Sequence, residues 1–209
     1  MKMGFRKFKS ICAAPLYGLV LCGGRSARMG RAKAALRYHD EIQSHHCYSL
    51  LSSVCERTFV SIRATQRSHA AFRYLEQIHD AFPGKGPLNG LLSAMTSFPK
   101  AAWLVIACDM PFLNIPLLEE LIAFRDPTKD ATAFSIAECN FPEPLCSIYE
   151  PGILPALQKT ARASRANGLR HVFMDADIHC ISSVRSEELR NLNSYEEYRV
   201  AKQSFRRVA

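Results

Sequence analysis

The sequence predicts an α/β fold, a three-layer doubly wound domain built on a mostly parallel sheet. Three observations carry that prediction. Short β-capable apolar runs alternate with segments of helical apolar spacing along the chain. Each run is nearly continuous in apolar residues, as in a strand covered on both faces, instead of turning polar at every second residue. The length of 209 residues corresponds to about 1.4 domains of ~150 residues, so residues 1–14 read as a basic leader and residues 15–209 as one domain.

The elements follow in order. Tyr17–Leu21 is the first strand, stopped by Gly23 and Gly24. Helical spacing follows Gly30 and returns over Cys47–Glu56. Thr58–Ile62 (TFVSI) is the second strand and Ala102–Ala107 (AWLVIA) the most apolar one. Between them the Pro/Gly turn PGKGPLNG leads into a helix over Gly90–Phe98. Pro116–Phe124 is an amphipathic helix with proline in its first turn, where a missing N–H is tolerated. Strands over Ala131–Ile136 and Leu145–Tyr149 precede helices over Gly152–Lys159 and Leu169–Met174. The chain then reads as a short strand, Ile178–Ser182, and a helix from Ser194 with Glu197 placed for a capping box.

Composition narrows the function classes. Hydrophobic residues at 48% and charged residues at 22% suffice for a buried core and argue against a disordered, collagen-like or coiled-coil chain. A formal charge of +8 favours an anionic partner: nucleic acid, a membrane surface or a phosphorylated small molecule. The start, MKMGFRKFK before ICAAPLYGLVLC, has the outline of a secretory signal. Pro15 and Tyr17 within the apolar run, and the basic glycine-rich loop after it, favour a basic tail leading into a buried strand. No apolar run reaches the ~20 residues of a membrane span. Eight cysteines lie scattered without a CxxC pair, which argues against a zinc ribbon or thioredoxin-like site and for a reducing cytoplasm. Cys22, Cys108 and Cys146 fall in apolar runs, where a thiol acts as a small hydrophobe.

In open α/β sheets ligands bind beyond the carboxyl ends of the strands, so the residues after each strand carry the functional argument. After the first strand, Gly23, Gly24 and Gly30 free backbone N–H donors, and Arg25, Arg28, Arg31 and Lys33 gather four cations. The combination suits a polyphosphate, although the spacing is neither GxxxxGK[ST] nor GxGxxG. The alternative is a solvated basic strand-to-helix turn. The second loop, Asp80–Gly90, joins glycines with a carboxylate and reads equally as an ordinary helix-capping turn. The third places Asp109 after the most apolar strand, where a hard carboxylate suits Mg²⁺ shared with substrate phosphates, or simply caps a helix.

These residues are recognisable together. Gly23–Lys33 (GGRSARMGRAK) resembles the GGxSxRMGxxK signature of small nucleotidyltransferases that act on the molybdenum cofactor. GPLNG (Gly86–Gly90) and DMP (Asp109–Pro111) fall where that group has GPLxG and D-x-P. PLCSIYEP (Pro144–Pro151) is similar as well, and NLNSYEEY (Asn191–Tyr198) resembles its closing N-x-N-T-P-E-E. The resemblance implies a nucleotide-diphospho-sugar transferase-like, Rossmann-like fold and a Mg²⁺-bound nucleoside triphosphate. Within the group, the guanylyltransferases match best; their cytidylyltransferase relatives more often show D-Q-P. Such enzymes join GMP from GTP to the molybdopterin phosphate and release pyrophosphate.

The resemblance also implies roles. The backbone of Leu21, Cys22 and Gly23 would read guanine, with Gly24 and Gly86 in the loops that hold the nucleotide. Lys33 would contact the triphosphate, Lys33 and Arg28 would stabilise charge on the leaving pyrophosphate, Asp80 would meet the sugar region, and Asp109 would bind Mg²⁺. The implied partners are GTP, molybdopterin and other proteins of that biosynthesis, with no nucleic acid or membrane, for a cytoplasmic monomer or weak oligomer. Four positions depart from the pattern. Ile62-Arg63-Ala64 stands where the group has a nucleotide-contacting Asn, Ala32 replaces an Asp, Cys22 an Ala, and Asn193-Ser194-Tyr195 the closing NTP.

Rival readings keep the fold with another base or acceptor, drop catalysis while keeping nucleotide binding, as Ala32 and Arg63 suggest, or bind nucleic acid through the basic tail. The last lacks an aromatic stacking platform beside its cations. His45 and His46 point about 100° apart on a helix and read as surface. Trp103 reads as core. Arg162, Arg165, Arg170 and His171 read either as a pterin-facing patch or as a solvated face, and Glu143 either reaches the site or shapes its turn.

Overall fold

The computed structural model describes residues 13–22, 33–38, 41–82, 86–136, 141–163, 168–183 and 186–208. Seven strands form one sheet: β1 (Leu16–Leu21), β2 (Arg57–Ile62), β3 (Gln77–His79), β4 (Ala102–Ala107), β5 (Ala131–Ile136), β6 (Phe141–Tyr149) and β7 (Ile178–Ser183). Their order is β3-β2-β1-β4-β6-β5-β7, and every pairing is parallel except the two made by β6. The expected mostly parallel sheet is therefore present, with one reversed strand inside it.

The reversal follows from chain length. Only residues 137–140 separate β5 from β6, whereas a parallel return needs a crossover of roughly a dozen residues or more. β3, with three residues and a single buried side chain, Ile78, has no expected counterpart; an edge strand this short leaves no alternation to read.

The helices are α1 (Gln43–Ser52), α2 (Pro87–Ser97), α3 (Ile115–Ala123), α4 (Leu154–Arg162), α5 (Gly168–Asp175) and α6 (Tyr195–Val208). Successive strand residues point to opposite faces, so Val20, Val60, Leu104 and Ile106 pack with Leu51 of α1 and Leu117 and Leu121 of α3. Leu19, Phe59, Trp103 and Val105 pack on the other side with Leu91 and Met95 of α2, Leu157 of α4 and Phe173 of α5. Those are the three layers, and Trp103 is fully buried in one of them. No helix among the described residues is long and apolar enough to cross a membrane.

Local chemistry sets several boundaries. The Asn114 side chain accepts the Leu117 N–H at 3.0 Å and starts α3 one residue before Pro116. Ser194 Oγ accepts the Glu197 N–H, and Glu197 returns to the Ser194 N–H at 2.8 Å, which is the expected capping box of α6. Among the described residues, the helical spacing after Gly30 gives a 3₁₀ turn, Lys33–Ala35. The helix expected from Cys47 begins four residues earlier, with the fully buried Gln43 at its start.

Candidate active site

The parallel ladders run one residue past the strands and align their carboxyl ends. Cys22 donates to Ser61 O at 3.0 Å, Cys108 to Leu21 O at 3.3 Å and Asp80 to Ile62 O at 3.1 Å. Along this edge, in sheet order, stand Asp80 after β3, Arg63 after β2, Cys22 after β1 and Asp109 after the Cys108 that follows β4. Chain segments nearly 90 residues apart thus meet in one row, which places Leu21, Cys22, Asp80 and Asp109 along the same sheet edge.

Asp80 is half-buried and receives a hydrogen bond of 3.4 Å from Ser61 Oγ. Burial pushes its carboxyl up, while the Ser61 hydroxyl and the Arg63 charge oppose that shift. Ser61 carried no motif signal; its role follows from burial at the end of β2 beside β3.

The GPLNG segment also finds physical reasons. Gly86 precedes α2 at φ 101° and ψ −178°, a region open essentially to glycine alone, and no described residue lies within 4 Å of where its Cβ would be. Asn89 Nδ2 donates to Phe82 O at 2.7 Å, and Ser93 Oγ accepts the Ala81 N–H at 2.9 Å, so the first turns of α2 hold the loop behind Asp80. A Cβ on Gly90 would collide with Ser61 Oγ and stand 3.0 Å from Leu21 Cδ2. Gly90→Ala is expected to cost about 1–3 kcal/mol and to weaken nucleotide binding, because Ser61 must leave Asp80. Thermal unfolding and nucleotide titration check this, and an unchanged melting temperature would refute the tight approach.

Asp109 is half-buried, and its carbonyl accepts the Leu192 N–H at 2.8 Å, which brings the NLN segment to the site. Asn191 Oδ1, next in the chain, is buried and has no hydrogen-bond partner among the described residues. On the far side, β6 runs antiparallel to β4 and carries Glu143 close enough to Asp109 for the charge of one to act on the other. Glu143 lies inside β6, not in a turn before it; its Oε1 accepts the Leu145 N–H at 2.7 Å. Burial pushes this carboxyl up, helped by the Asp109 charge and opposed by the Leu145 N–H and Arg170. Glu143 shows both features: the Asp109 and Arg170 charges act on it, and its Oε1 also shapes the local chain through the Leu145 N–H.

Arg170 on α5 lies 4.0 Å over the Phe141 ring, next to Glu143. Arg162 is exposed in the last turn of α4, and His171 is half-buried. His45 and His46 are half-buried on α1, not plainly at the surface; His46 meets Glu41 at 3.2 Å and His45 Nε2 is buried. Cys22, Cys47 and Cys108 are buried beside one another, and the Cys22 thiol is pushed well up by its hydrogen bond with Cys108 and by burial. Buried thiols of this kind pack as small hydrophobes, as expected for Cys22 and Cys108. Gly23, Gly24, Arg28 and Arg165 lie outside the described residues, and Lys33 opens the 3₁₀ turn that leads away from the glycine-rich loop.

Residues 18–179, from within β1 to within β7, match the model of the MobA-like NTP transferase domain. The chain belongs to this family. A relative from Synechocystis sp. described as a molybdenum cofactor biosynthesis bifunctional protein is 35% identical over 90% of this chain and 54% of its own, so the chain spans about half of it. A molybdenum cofactor guanylyltransferase from Pseudomonas putida is 27% identical over 85% of this chain and 93% of its own. Among solved structures, molybdopterin-guanine dinucleotide biosynthesis protein A from Archaeoglobus fulgidus superposes with a TM-score of 0.78 at 21% identity, covering 91% of this chain and 99% of its own. The MobA-like match takes in the glycine-rich signature, Asp80, Asp109 and Glu143, and leaves the NLN segment and α6 beyond it.

Proposed function

We propose that this MobA-like protein is a guanylyltransferase of molybdenum cofactor biosynthesis, acting in the cytoplasm through one domain over residues 15–209. It joins GMP from GTP to the phosphate of molybdopterin. The observation that carries the reading is the row of Asp80, Arg63, Cys22 and Asp109 at the carboxyl edge, with Glu143 of the reversed strand within reach of the Asp109 charge.

The acceptor phosphate oxygen bonds to the α-phosphorus of GTP in line, the bond from that phosphorus to the bridging oxygen breaks, and pyrophosphate leaves with the electron pair. A phosphate oxygen needs no strong base, so the protein's task is positioning and charge neutralisation. The backbone of Leu21, Cys22 and Gly23 reads the guanine, Gly24 and Gly86 belong to the loops that hold the nucleotide, and Asp80 meets the ribose. Lys33 and Arg28 neutralise charge on the leaving pyrophosphate.

The residues at the edge also fit Mg²⁺. Asp109 and Glu143 offer hard oxygens, and among the described residues no three His, Cys, Asp or Glu side chains converge as a closed metal cage. One or two carboxylates completed by substrate phosphates and waters is the set Mg²⁺ prefers. When bound there, Mg²⁺ supplies positive charge to the phosphate oxygens.

The test is pyrophosphate release from GTP, CTP, ATP and UTP by the purified chain with molybdopterin as acceptor. GTP-selective release supports the reading. Selective turnover of CTP would make the protein a cytidylyltransferase, and tight GTP binding without release in the presence of acceptor would make it a non-catalytic relative.

A further inference from the structure

The chemistry above leaves Arg63 unused, yet its side chain is held in place with care. Gln66 Oε1 accepts both the Arg63 backbone N–H, at 3.1 Å, and its Nε–H, at 3.2 Å. One carbonyl thus fixes the backbone and the plane of the guanidinium across a single 3₁₀ turn, Ala64–Gln66. Among the described residues, Nη1 and Nη2 have no hydrogen-bond or ion-pair partner. Arg63 lies between the two positions assigned to the nucleotide. On one side the register Leu21↔Ser61 puts it two residues past the partner of Leu21. On the other, Asp80 is tied to Ile62, the residue before it.

A guanidinium has five N–H donors and no acceptor. Planar and pre-oriented, its remaining two-nitrogen edge matches a pair of neighbouring acceptors. Guanine presents such a pair at O6 and N7; adenine replaces O6 by an amino donor, and cytosine presents an amino donor at the corresponding edge. A residue fixed only to donate therefore attracts guanine and opposes the amino groups of the other two.

We propose that Arg63, positioned by Gln66, reads the O6/N7 edge of guanine and sets the base preference of this site. The inference rests on the GTP reading given above and adds a side-chain reader to the backbone contacts of Leu21 and Cys22. Gln66 is a positioning residue, acting through Arg63.

Binding of Mg²⁺ complexes of GTP, ITP, 7-deaza-GTP, ATP and CTP, measured by calorimetry on the full chain, tests it. ITP keeps O6 and N7 and should bind the wild-type chain like GTP. 7-Deaza-GTP lacks N7 and should bind roughly tenfold more weakly, within the range expected for part of a bidentate base contact. Arg63→Lys keeps the charge but loses the fork, so the GTP to 7-deaza-GTP ratio should fall to near one. Gln66→Leu should lower that ratio partway, and Gln66→Glu, which retains an oxygen acceptor, should preserve it. An unchanged ratio in Arg63→Lys, or equal weakening of every triphosphate in Arg63→Gln, would overturn the proposal. A wild-type chain that binds GTP no better than CTP and ATP would overturn the GTP reading itself, and the wild-type measurements alone reveal that case.

Discussion

Asp109→Asn should lower guanylyl transfer by about a hundredfold to a thousandfold, the usual loss when one electrostatic stabiliser of a developing charge is removed. The substitution keeps the shape of the side chain and removes its charge. It also keeps the backbone carbonyl that accepts the Leu192 N–H, so the NLN segment should stay where it is. Core packing is preserved too, because Asp109 lies beyond the end of β4 and contributes to neither buried cluster. The decisive measurements are pyrophosphate release, the affinity for Mn²⁺ as a Mg²⁺ substitute in the presence of GTP, and the melting temperature. Turnover and Mn²⁺ affinity should both fall with the melting temperature nearly unchanged. Near-normal turnover would remove Asp109 from the metal site.

Arg125→Met should destabilise the protein by about 3–5 kcal/mol, lowering the melting temperature by roughly 6–20 °C for a chain of this size. Arg125 follows α3 and Glu150 follows β6, and the two meet in a bidentate pair with Nε to Oε1 at 2.6 Å and Nη2 to Oε2 at 3.0 Å. Glu150 is only 3% exposed. The same guanidinium donates to Ala14 O at 3.0 Å, so it also ties the chain just before β1 to the end of β6. Removing Arg125 leaves a buried carboxylate with no cation, which is why the loss should be large. The double variant Arg125→Met/Glu150→Leu should recover much of it, since no uncompensated charge then remains. The pair lies at the sheet edge opposite Asp109, so folded Arg125→Met protein should keep near-normal turnover. A melting temperature within a degree or two of wild type would contradict the assigned role of the pair.

Where the local pattern is strong, the sequence reading and the structure agree closely. β4, an unbroken apolar run, is found at Ala102–Ala107 as read, and the capping box of Ser194 and Glu197 forms as read. Both signals are local: a covered strand must be apolar along its length, and a cap needs only residues three apart. The misses are the non-local features. β3 is too short to show a period. Ser61 matters only because β3 and α2 close over the end of β2 and bring Asp80 and Gly90 against its hydroxyl.

Taken by itself, the sequence determined the layered α/β architecture, the strand-end loops that carry glycine and charge, and the resemblance of those loops to a nucleotidyltransferase signature. Only the tertiary structure decided which residues face one another. It reversed β6 and so brought Glu143 within reach of the Asp109 charge, it hung Leu192 on the carbonyl of Asp109, and it tied the Arg63 side chain to Gln66. The physical reason is range. Apolar periodicity and turn chemistry act over a few neighbouring residues, whereas strand order and antiparallel register are settled by packing the whole sheet, and a residue's partner across a register leaves no mark in its own segment.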